Sequence, residues 1–236
     1  MSRKTIGNGL LLLVTMASAL LTGCIREVQD LQGGSPQPQS YLPAPLASKI
    51  LRVTDLPVMG NKTSTLALIE VTDYQCPFCQ AHFRETLPLL KREFIDTGRL
   101  SYYVLDYPLP GHEFAALAAI AASCAGDQQA YWQFHDALFE QPNLQSDTKL
   151  HVVADDLDLN IQVFEDCVES RRQGSFLDDR RSTALGLGVQ GTPTFLLGRL
   201  SNGRMVTDIA VLPGLQSIGY FREVIGRYEN RRVTGI

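Results

Sequence analysis

Two cysteines three residues apart have the types and spacing best suited to chemistry. Cys76 and Cys79 enclose Pro77 and Phe78 in the run Asp-Tyr-Gln-Cys-Pro-Phe-Cys that starts at Asp73. Such a pair can bind a metal, form a structural bridge, or exchange electrons with other thiols and disulfides. The rest of the sequence favours the third kind of site.

A zinc site and a purely structural bridge are the two alternatives. Structural zinc usually takes four ligands, often from two Cys-x-x-Cys pairs. This sequence has one such pair, with His82 as the nearest candidate for a third ligand. A bridge between Cys76 and Cys79 would close a very small loop, which removes little entropy from the unfolded chain. We therefore expect no metal and interpret the pair as redox-active.

The residues around the pair predict a strand, a turn and a helix. Thr65 to Thr72 is β-branched and almost continuously apolar, which is typical of a buried strand. Cys79 to about Phe94 has apolar residues three or four apart, as in a helix. Pro77 fits the first turn, where the missing N–H costs nothing, whereas Pro88 inside the helix predicts a kink.

This arrangement places Cys76 at the N-terminus of a helix. Unpaired N–H groups and the positive end of the helix dipole stabilise a thiolate there. We expect Cys76 to be the exposed nucleophile. Cys79, about one turn further on, is expected to be the buried resolving thiol.

The later segments alternate between strand and helix patterns. A proline-led strand, an Asn-Gly turn and a return strand predict a hairpin near the end. The predicted elements are, in order, a strand at 100–105, helices at 112–125, 129–139, 149–157 and 161–172, hairpin strands at 191–197 and 205–211, and a helix at 216–228.

The order of elements and three motifs resemble the DsbA family of thioredoxin-fold proteins. The motifs are the run from Asp73 to Cys79, the run Gly-Thr-Pro-Thr-Phe at 191–195, and the lead-in Asp-Leu-Pro-Val-Met-Gly at 55–60. The resemblance covers residue 49 to the end. It implies an α/β thioredoxin fold with a helical insertion at about 110–187, thiol:disulfide oxidoreductase activity, and no cofactor.

The resemblance also implies roles for other residues. Pro193 is expected to follow a cis bond and to face the cysteine pair, leaving the Thr192 backbone free to pair with an extended substrate strand. Pro77 and Phe78 are expected to face the substrate. Glu70 is expected to be a buried acid that moves a proton to or from the resolving thiol. The alternative for Glu70 is a surface residue at a strand end.

The resemblance implies partners but leaves the direction of electron flow open. Expected partners are exported proteins with cysteine pairs and a membrane protein that restores the disulfide. A reductase or isomerase uses the same motif at a different potential. Dimeric isomerases of the superfamily carry an N-terminal dimerisation domain, for which the predicted polar tether leaves no room. A monomer is expected. A non-catalytic chaperone or binding lipoprotein is the remaining alternative.

The N-terminus predicts export and lipid attachment. A basic start, an apolar run from Leu10 to Leu21 and small residues before Cys24 describe a signal peptide over residues 1–23. Leu-Thr-Gly-Cys at 21–24 resembles the lipobox of bacterial lipoproteins, which implies cleavage before Cys24 and acylation of its sulfur. Residues 24–48 predict a polar tether, and residues 49–236 the folded domain. The alternative is an ordinary signal peptide with a chance cysteine.

The predicted location is the periplasmic face of a bacterial membrane. By the rule of the lipoprotein family, Ile25 after the acylated cysteine favours the outer membrane of a Gram-negative cell.

Cys124 and Cys167 are expected to form a structural disulfide. If Cys76 pairs with Cys79 and Cys24 is acylated, these two remain, and both lie in the predicted helical block. Some DsbA-like relatives carry an extra disulfide in this block. The alternative is a pair of buried free thiols.

The net charge and the remaining polar residues say less about function than the cysteines do. The net charge of −4 gives no indication of a nucleic-acid-binding face. His82 is expected on the solvated face of its helix, and His112, at a helix start, is a candidate for the border of the active-site groove. The residues expected to pack between helices are His135 and Trp132. The pairs Arg171-Arg172 and Arg180-Arg181 are expected on solvated faces.

Overall fold

The computed structural model describes residues 49–141, 146–172 and 175–231. The predicted signal peptide, Cys24 and the predicted tether lie outside the described residues. Within the described ranges, no helix combines the length and the apolar character that a membrane span requires.

A six-stranded sheet carries the predicted redox motif at its centre. The strand order is β1-β6-β5-β3-β4-β2, and β3 runs parallel to β4 and antiparallel to β5. Every residue of β3 is buried, which explains its almost continuous apolar run. The strands are β1 Leu51–Arg52, β2 Val58–Met59, β3 Leu66–Thr72, β4 Ser101–Asp106, β5 Thr194–Ser201 and β6 Met205–Pro213.

The predicted hairpin is confirmed as β5 and β6. Asn202 and Gly203 have φ angles of 52° and 65°, the left-handed region that the centre of a tight hairpin turn requires, and the Arg204 N–H closes the turn onto the Ser201 carbonyl. The hairpin matters for the site because the residues that precede β5, Thr192 and Pro193, reach the cysteine pair.

The four helices predicted between β4 and β5 are confirmed, and the structure adds a fifth. The added helix, α7, buries only Ala184, so it lacks the apolar stripe that reveals a helix in a sequence. The helices that follow β4 are α3 Ala115–Asp127, α4 Tyr131–Glu140, α5 Asp147–Asp156, α6 Ile161–Arg172, α7 Phe176–Gly186 and, after the hairpin, α8 Ile218–Asn230.

The helical stretch after Cys76 alternates between α and π turns. It consists of α1 Pro77–Ala81, a π turn at His82–Thr86, α2 Leu87–Leu90 and a π turn at Lys91–Ile95. Pro88 cannot donate to the carbonyl four residues earlier, and its ring would clash with that carbonyl. The wider π turn before Pro88 accommodates both effects, with the Leu87 N–H donating to the His82 carbonyl.

Hydrophobic cores cover both faces of the sheet. The core on one face contains Tyr102 and Val104, together with Cys76 and Cys79. The core on the other face contains Tyr103 and Leu105. Successive residues of β4 therefore point to opposite faces, as a strand requires.

A disulfide joins two helices of the inserted block. Cys124 of α3 and Cys167 of α6 are bonded at a sequence separation of 43 residues. In the chain-entropy model a loop of this length stabilises the fold by about 4 kcal/mol. Arg171 lies beside the bond, with Nη1 2.8 Å from Ser123 Oγ and Nη2 2.7 Å from an Asp127 oxygen.

The expected solvated position is wrong for Arg180. Its side chain is 10% exposed, and Nη1 lies 3.4 Å from a carboxylate oxygen of the buried Asp106. The reason is that α7 packs against the end of β4 and brings together residues that are far apart in the sequence. Arg172, in contrast, is exposed as expected.

Candidate thiol redox site

Cys76 lies at the junction between the turn after β3 and the first helical turn. It is the N-cap residue of α1, with extended backbone angles (φ −73°, ψ 120°), and Pro77 follows in the first turn. The Gln80 N–H donates to the Cys76 carbonyl at 3.1 Å. The Cys76 sulfur therefore lies at the positive end of the helical stretch, where backbone N–H groups point toward it.

Buried polar side chains hold the turn in shape. Asp73 is buried, and its carboxylate accepts hydrogen bonds from the Gln75 N–H at 2.7 Å and the Leu109 N–H at 2.7 Å. His112 Nδ1 lies 2.8 Å from the same carboxylate, so His112 borders the motif. The Phe114 N–H donates to the Gln75 side chain at 2.7 Å. The motif thus holds the loop after β4 beside the cysteines.

The two cysteines are free thiols and differ only slightly in exposure. Cys76 is 3% exposed and Cys79 is 0% exposed. The expectation that Cys76 is exposed is therefore wrong, because the loop that contains Thr192 covers its sulfur. Phe78, in contrast, is 60% exposed.

The loop before β5 contacts the Cys76 sulfur. The Thr192–Pro193 peptide bond is cis, as the family resemblance implies. The Cys76 thiol donates to the Thr192 carbonyl at 3.3 Å. The loop is held by the Thr194 hydroxyl, which donates to the Gly191 carbonyl at 2.6 Å, and by the Gly214 N–H, which donates to the Pro193 carbonyl at 2.8 Å.

The pKa of Cys76 is lowered to about 5. The largest cause is the Cys79 thiol, which donates a hydrogen bond to the Cys76 thiolate; burial acts in the opposite direction. The Thr192 hydroxyl and the backbone N–H groups of Cys79 and Phe78 lower the pKa further.

The pKa of Cys79 is raised strongly. Burial is the largest cause, followed by its hydrogen bond to Cys76 and by the charge of Glu70. At neutral pH the reduced pair therefore holds one thiolate, on Cys76, and one thiol, on Cys79.

A buried polar network lies below Cys79. Glu70 is 1% exposed, which excludes the surface position considered as its alternative. The Thr72 hydroxyl donates to Glu70 Oε1 at 2.9 Å, and the Tyr102 hydroxyl donates to Oε2. Tyr102 Oη in turn lies 3.2 Å from His82 Nε2.

The expected solvated position of His82 is wrong. Its side chain is 0% exposed, and its ring centroid lies 4.5 Å from that of Phe195. His82 follows Cys79 by three residues, a spacing that places both on one face of a helix. This spacing could have revealed from the sequence that His82 is buried, because Cys79 itself is expected to face the core. No comparable pattern in the sequence identifies Tyr102, which links His82 to Glu70.

Other predicted features keep more ordinary positions. His135 and Trp132 pack among the aromatic rings of α4 and its neighbours, as expected. In the described parts of the chain, no group of three or more His, Cys, Asp or Glu side chains is arranged to hold a metal ion.

The fold and the site define a class of protein. A dithiol lies at the start of a helical stretch, next to a cis-proline loop and above a buried carboxylate, on a fold of the thioredoxin type. The chain belongs to the Thioredoxin family, whose model matches residues 53–208.

Relatives carry two kinds of name. Na(+)/H(+) antiporter NhaA 1 of Salinispora arenicola is 30% identical over 148 residues, which are 62% of this chain but only 22% of the antiporter. Probable disulfide bond formation protein D of Bacillus anthracis is 26% identical over 153 residues, 61% of this chain and 70% of that protein. The chain thus spans about a fifth of the antiporter's length.

A solved structure agrees with the fold. Wolbachia pipientis alpha-DsbA1 has a TM-score of 0.63 and 23% identity, over 74% of this chain and 90% of that one.

The pH dependence of alkylation tests the thiol assignment. In the reduced protein, the rate of Cys76 alkylation by iodoacetamide should be half-maximal near pH 5. Cys79→Ala should move this midpoint upward, because it removes the main hydrogen-bond donor to the thiolate. Cys79→Ser keeps a hydroxyl donor and should move it less. A wild-type midpoint near the free-thiol value of about 8.5, or equal midpoints in all three proteins, contradicts the assignment.

Proposed function

We propose that this protein is an extracytoplasmic thiol:disulfide oxidoreductase that oxidises cysteine pairs in exported proteins. The observation that carries the proposal is the opposite perturbation of the two thiols, with the pKa of Cys76 lowered and that of Cys79 raised. Relatives named as a disulfide bond formation protein and as protein-disulfide oxidoreductases support it.

The reaction proceeds by two thiol–disulfide exchanges. In the oxidised enzyme, a substrate thiolate attacks Cys76 Sγ, the Cys76–Cys79 bond breaks, and Cys79 leaves as a thiolate that takes up a proton. The second substrate thiolate then attacks the substrate sulfur of the mixed disulfide and releases Cys76 as a thiolate. The substrate loses two electrons and the enzyme gains them as a dithiol. Sulfur carries both electrons, so no cofactor is required.

The lowered pKa of Cys76 favours the oxidising direction. A thiolate that is stabilised in the reduced enzyme makes the dithiol form more stable and the disulfide a stronger oxidant. Because the folded pKa lies below that of a free thiol, this stabilisation is complete above the free-thiol pKa and declines as the pH falls toward about 5. Oxidising strength from this source should therefore be lost under acidic conditions.

The surface around Cys76 suits an extended apolar peptide segment. Phe78 is an exposed large apolar side chain, and Pro77 is exposed between the cysteines. The Thr192 backbone lies beside Cys76 and is proposed to pair with the substrate strand. Pro193 keeps the loop in this position. Glu70 is proposed to exchange a proton with Cys79.

The proposed location and partners follow from the sequence. The predicted signal peptide at residues 1–23 and the lipobox-like run before Cys24 support export and attachment to a bacterial membrane by acyl chains. Residues 24–48 would hold the domain away from the bilayer. A membrane-bound oxidant must accept the two electrons from the dithiol after each cycle. The protein is proposed to act as a monomer.

Trapping of mixed disulfides tests the function. Cys79→Ala should accumulate disulfide-linked complexes with exported proteins, because Cys76 still reacts but no resolving thiol remains. Cys76→Ala should accumulate none, because Cys79 is buried and protonated. The purified wild-type protein should also oxidise a dithiol peptide in equimolar amount. Complexes formed equally by both variants, or no oxidation of the peptide, would reject the proposal.

Fractionation of cells tests the membrane attachment. Cys24→Ser should release the protein from the membrane fraction or stop its maturation, because a serine hydroxyl does not replace the cysteine sulfur as the acyl acceptor. A matched control is Thr22→Ser, which changes a neighbouring residue and keeps that sulfur. Wild-type protein that is found entirely in the soluble extracytoplasmic fraction, without lipid mass on Cys24, would contradict the attachment.

A further inference from the structure

A continuous chain of hydrogen bonds leads from Cys79 to His82. The Thr72 hydroxyl interacts with the Cys79 sulfur, and this contact opposes the larger effect of burial, which raises the pKa of that thiol. The same hydroxyl donates to Glu70 Oε1 at 2.9 Å. Tyr102 donates to Glu70 Oε2, and its oxygen lies 3.2 Å from His82 Nε2.

The directions of these bonds converge on Glu70. Because Tyr102 donates to the carboxylate, its oxygen is free to accept, which assigns a proton to His82 Nε2. Thr72 likewise donates to Glu70 and can accept from the Cys79 thiol. A proton can therefore move from Cys79 through the Thr72 hydroxyl to Glu70.

The surroundings of His82 keep it neutral. The ring lies among apolar groups, with centroids 4.5 Å from Phe195 and 6.1 Å from Phe221. His82 Nδ1 is buried and has no hydrogen-bond partner among the described residues. Burial lowers the pKa of His82; Glu70 acts in the opposite direction, and His135 lowers it further. The imidazole acts as a hydrogen-bond donor rather than as a cation.

Each carboxylate oxygen of Glu70 accepts a hydrogen bond. Thr72 donates to Oε1 and Tyr102 donates to Oε2, so the carboxylate is held in one orientation with Oε1 toward Thr72. The Tyr102 bond is the one that leads away from the thiol, and His82 polarises and orients it.

We infer that Tyr102 and His82 are positioning residues that hold the Glu70 carboxylate toward Thr72, so that Glu70 can accept the Cys79 proton through Thr72 whenever the disulfide re-forms. The inference rests on the proposed function. In the reaction, Cys79 S–H transfers its proton to Glu70, and the resulting thiolate attacks Cys76 in a mixed disulfide. The Cys76–Cys79 bond forms, the bond to the partner sulfur breaks, and the partner leaves as a thiolate.

Other ionisable groups also act on this site. The groups that interact electrostatically with Glu70 lie on the turn before α1, on α1 and its following π turn, on β4 and on α4; they are Tyr74, Cys79, His82, Tyr102, Asp106 and Tyr131. His135 of α4 acts electrostatically on His82. Tyr102 and His82 are distinguished from the others by direct hydrogen bonds in the chain to Glu70.

A two-step reaction with 5,5′-dithiobis(2-nitrobenzoate) isolates the proton transfer. Reduced full-length protein should release one thionitrobenzoate when Cys76 attacks and a second when Cys79 displaces the mixed disulfide. The Cys76→Ala protein serves as the blank. The rate of the second release, measured over a series of pH values, should fall about tenfold in Tyr102→Phe and in His82→Phe, because the Glu70 carboxylate is no longer held toward Thr72. The first release should change by less than about twofold in both.

Two further variants separate positioning from packing. His82→Gln retains an N–H donor near Tyr102 and should restore a profile close to that of the wild type. Tyr103→Phe removes a buried hydroxyl from the same strand, but on the opposite face of the sheet and away from Glu70, and should leave the profile unchanged.

The outcomes distinguish this inference from the proposed function. A slower second release in the two phenylalanine variants, reversed in His82→Gln, supports it. A wild-type profile in both, or an equal effect on both releases, overturns it while the proposed function stands. If Tyr102→Phe does not fold, the two His82 variants decide. A wild-type protein that gives no second release does not close its disulfide, and this result rejects the proposed function itself.

Discussion

The hydrogen bond from the buried Cys79 thiol to the Cys76 sulfur is the interaction on which the site depends. It is the largest cause of the lowered Cys76 pKa, and, after burial, it also raises the pKa of Cys79. The bond requires that one sulfur remain protonated next to an ionised one, which burial of Cys79 ensures. Thiol reactivity is thereby concentrated on a single atom, although both residues are almost completely buried.

Three other parts of the fold maintain this difference between an ionised Cys76 and a protonated Cys79. The helical stretch after Cys76 supplies backbone N–H groups, the loop before β5 places Thr192 against the sulfur, and the centre of the sheet places Glu70 and Thr72 below Cys79. β3 contributes both residues because it lies between β4 and β5 with every residue buried. The inserted helices, joined by the Cys124–Cys167 bond, complete the core that excludes water from the pair.

Local sequence patterns are sufficient to predict much of this arrangement, but they do not predict features that depend on tertiary packing. The apolar run of β3, Pro77 in the first helical turn and the Asn202-Gly203 turn each act over a few residues, so the sequence predicts them directly. The buried position of Glu70 and the cis bond before Pro193 follow from a family resemblance instead, because no local pattern requires either.

The errors concern polar groups whose partners are remote in the chain. His82 is polar and its sequence neighbours indicate solvent, but its hydrogen bond to Tyr102 exists only because the helical stretch lies across β4. Arg180 is misplaced for the same reason, since its partner Asp106 is on a distant strand. The cover over Cys76 comes from a loop that is separated from it by 116 residues at Thr192.

The reduction potential of the Cys76–Cys79 pair, measured at pH 7 by equilibration with glutathione buffers, tests the central claim most directly. A stabilised Cys76 thiolate should make the disulfide oxidising, with a potential close to that of strongly oxidising members of the superfamily, about −120 mV. A potential at or below about −270 mV, in the range of a reductase, would contradict the claim that a stabilised Cys76 thiolate makes the disulfide oxidising.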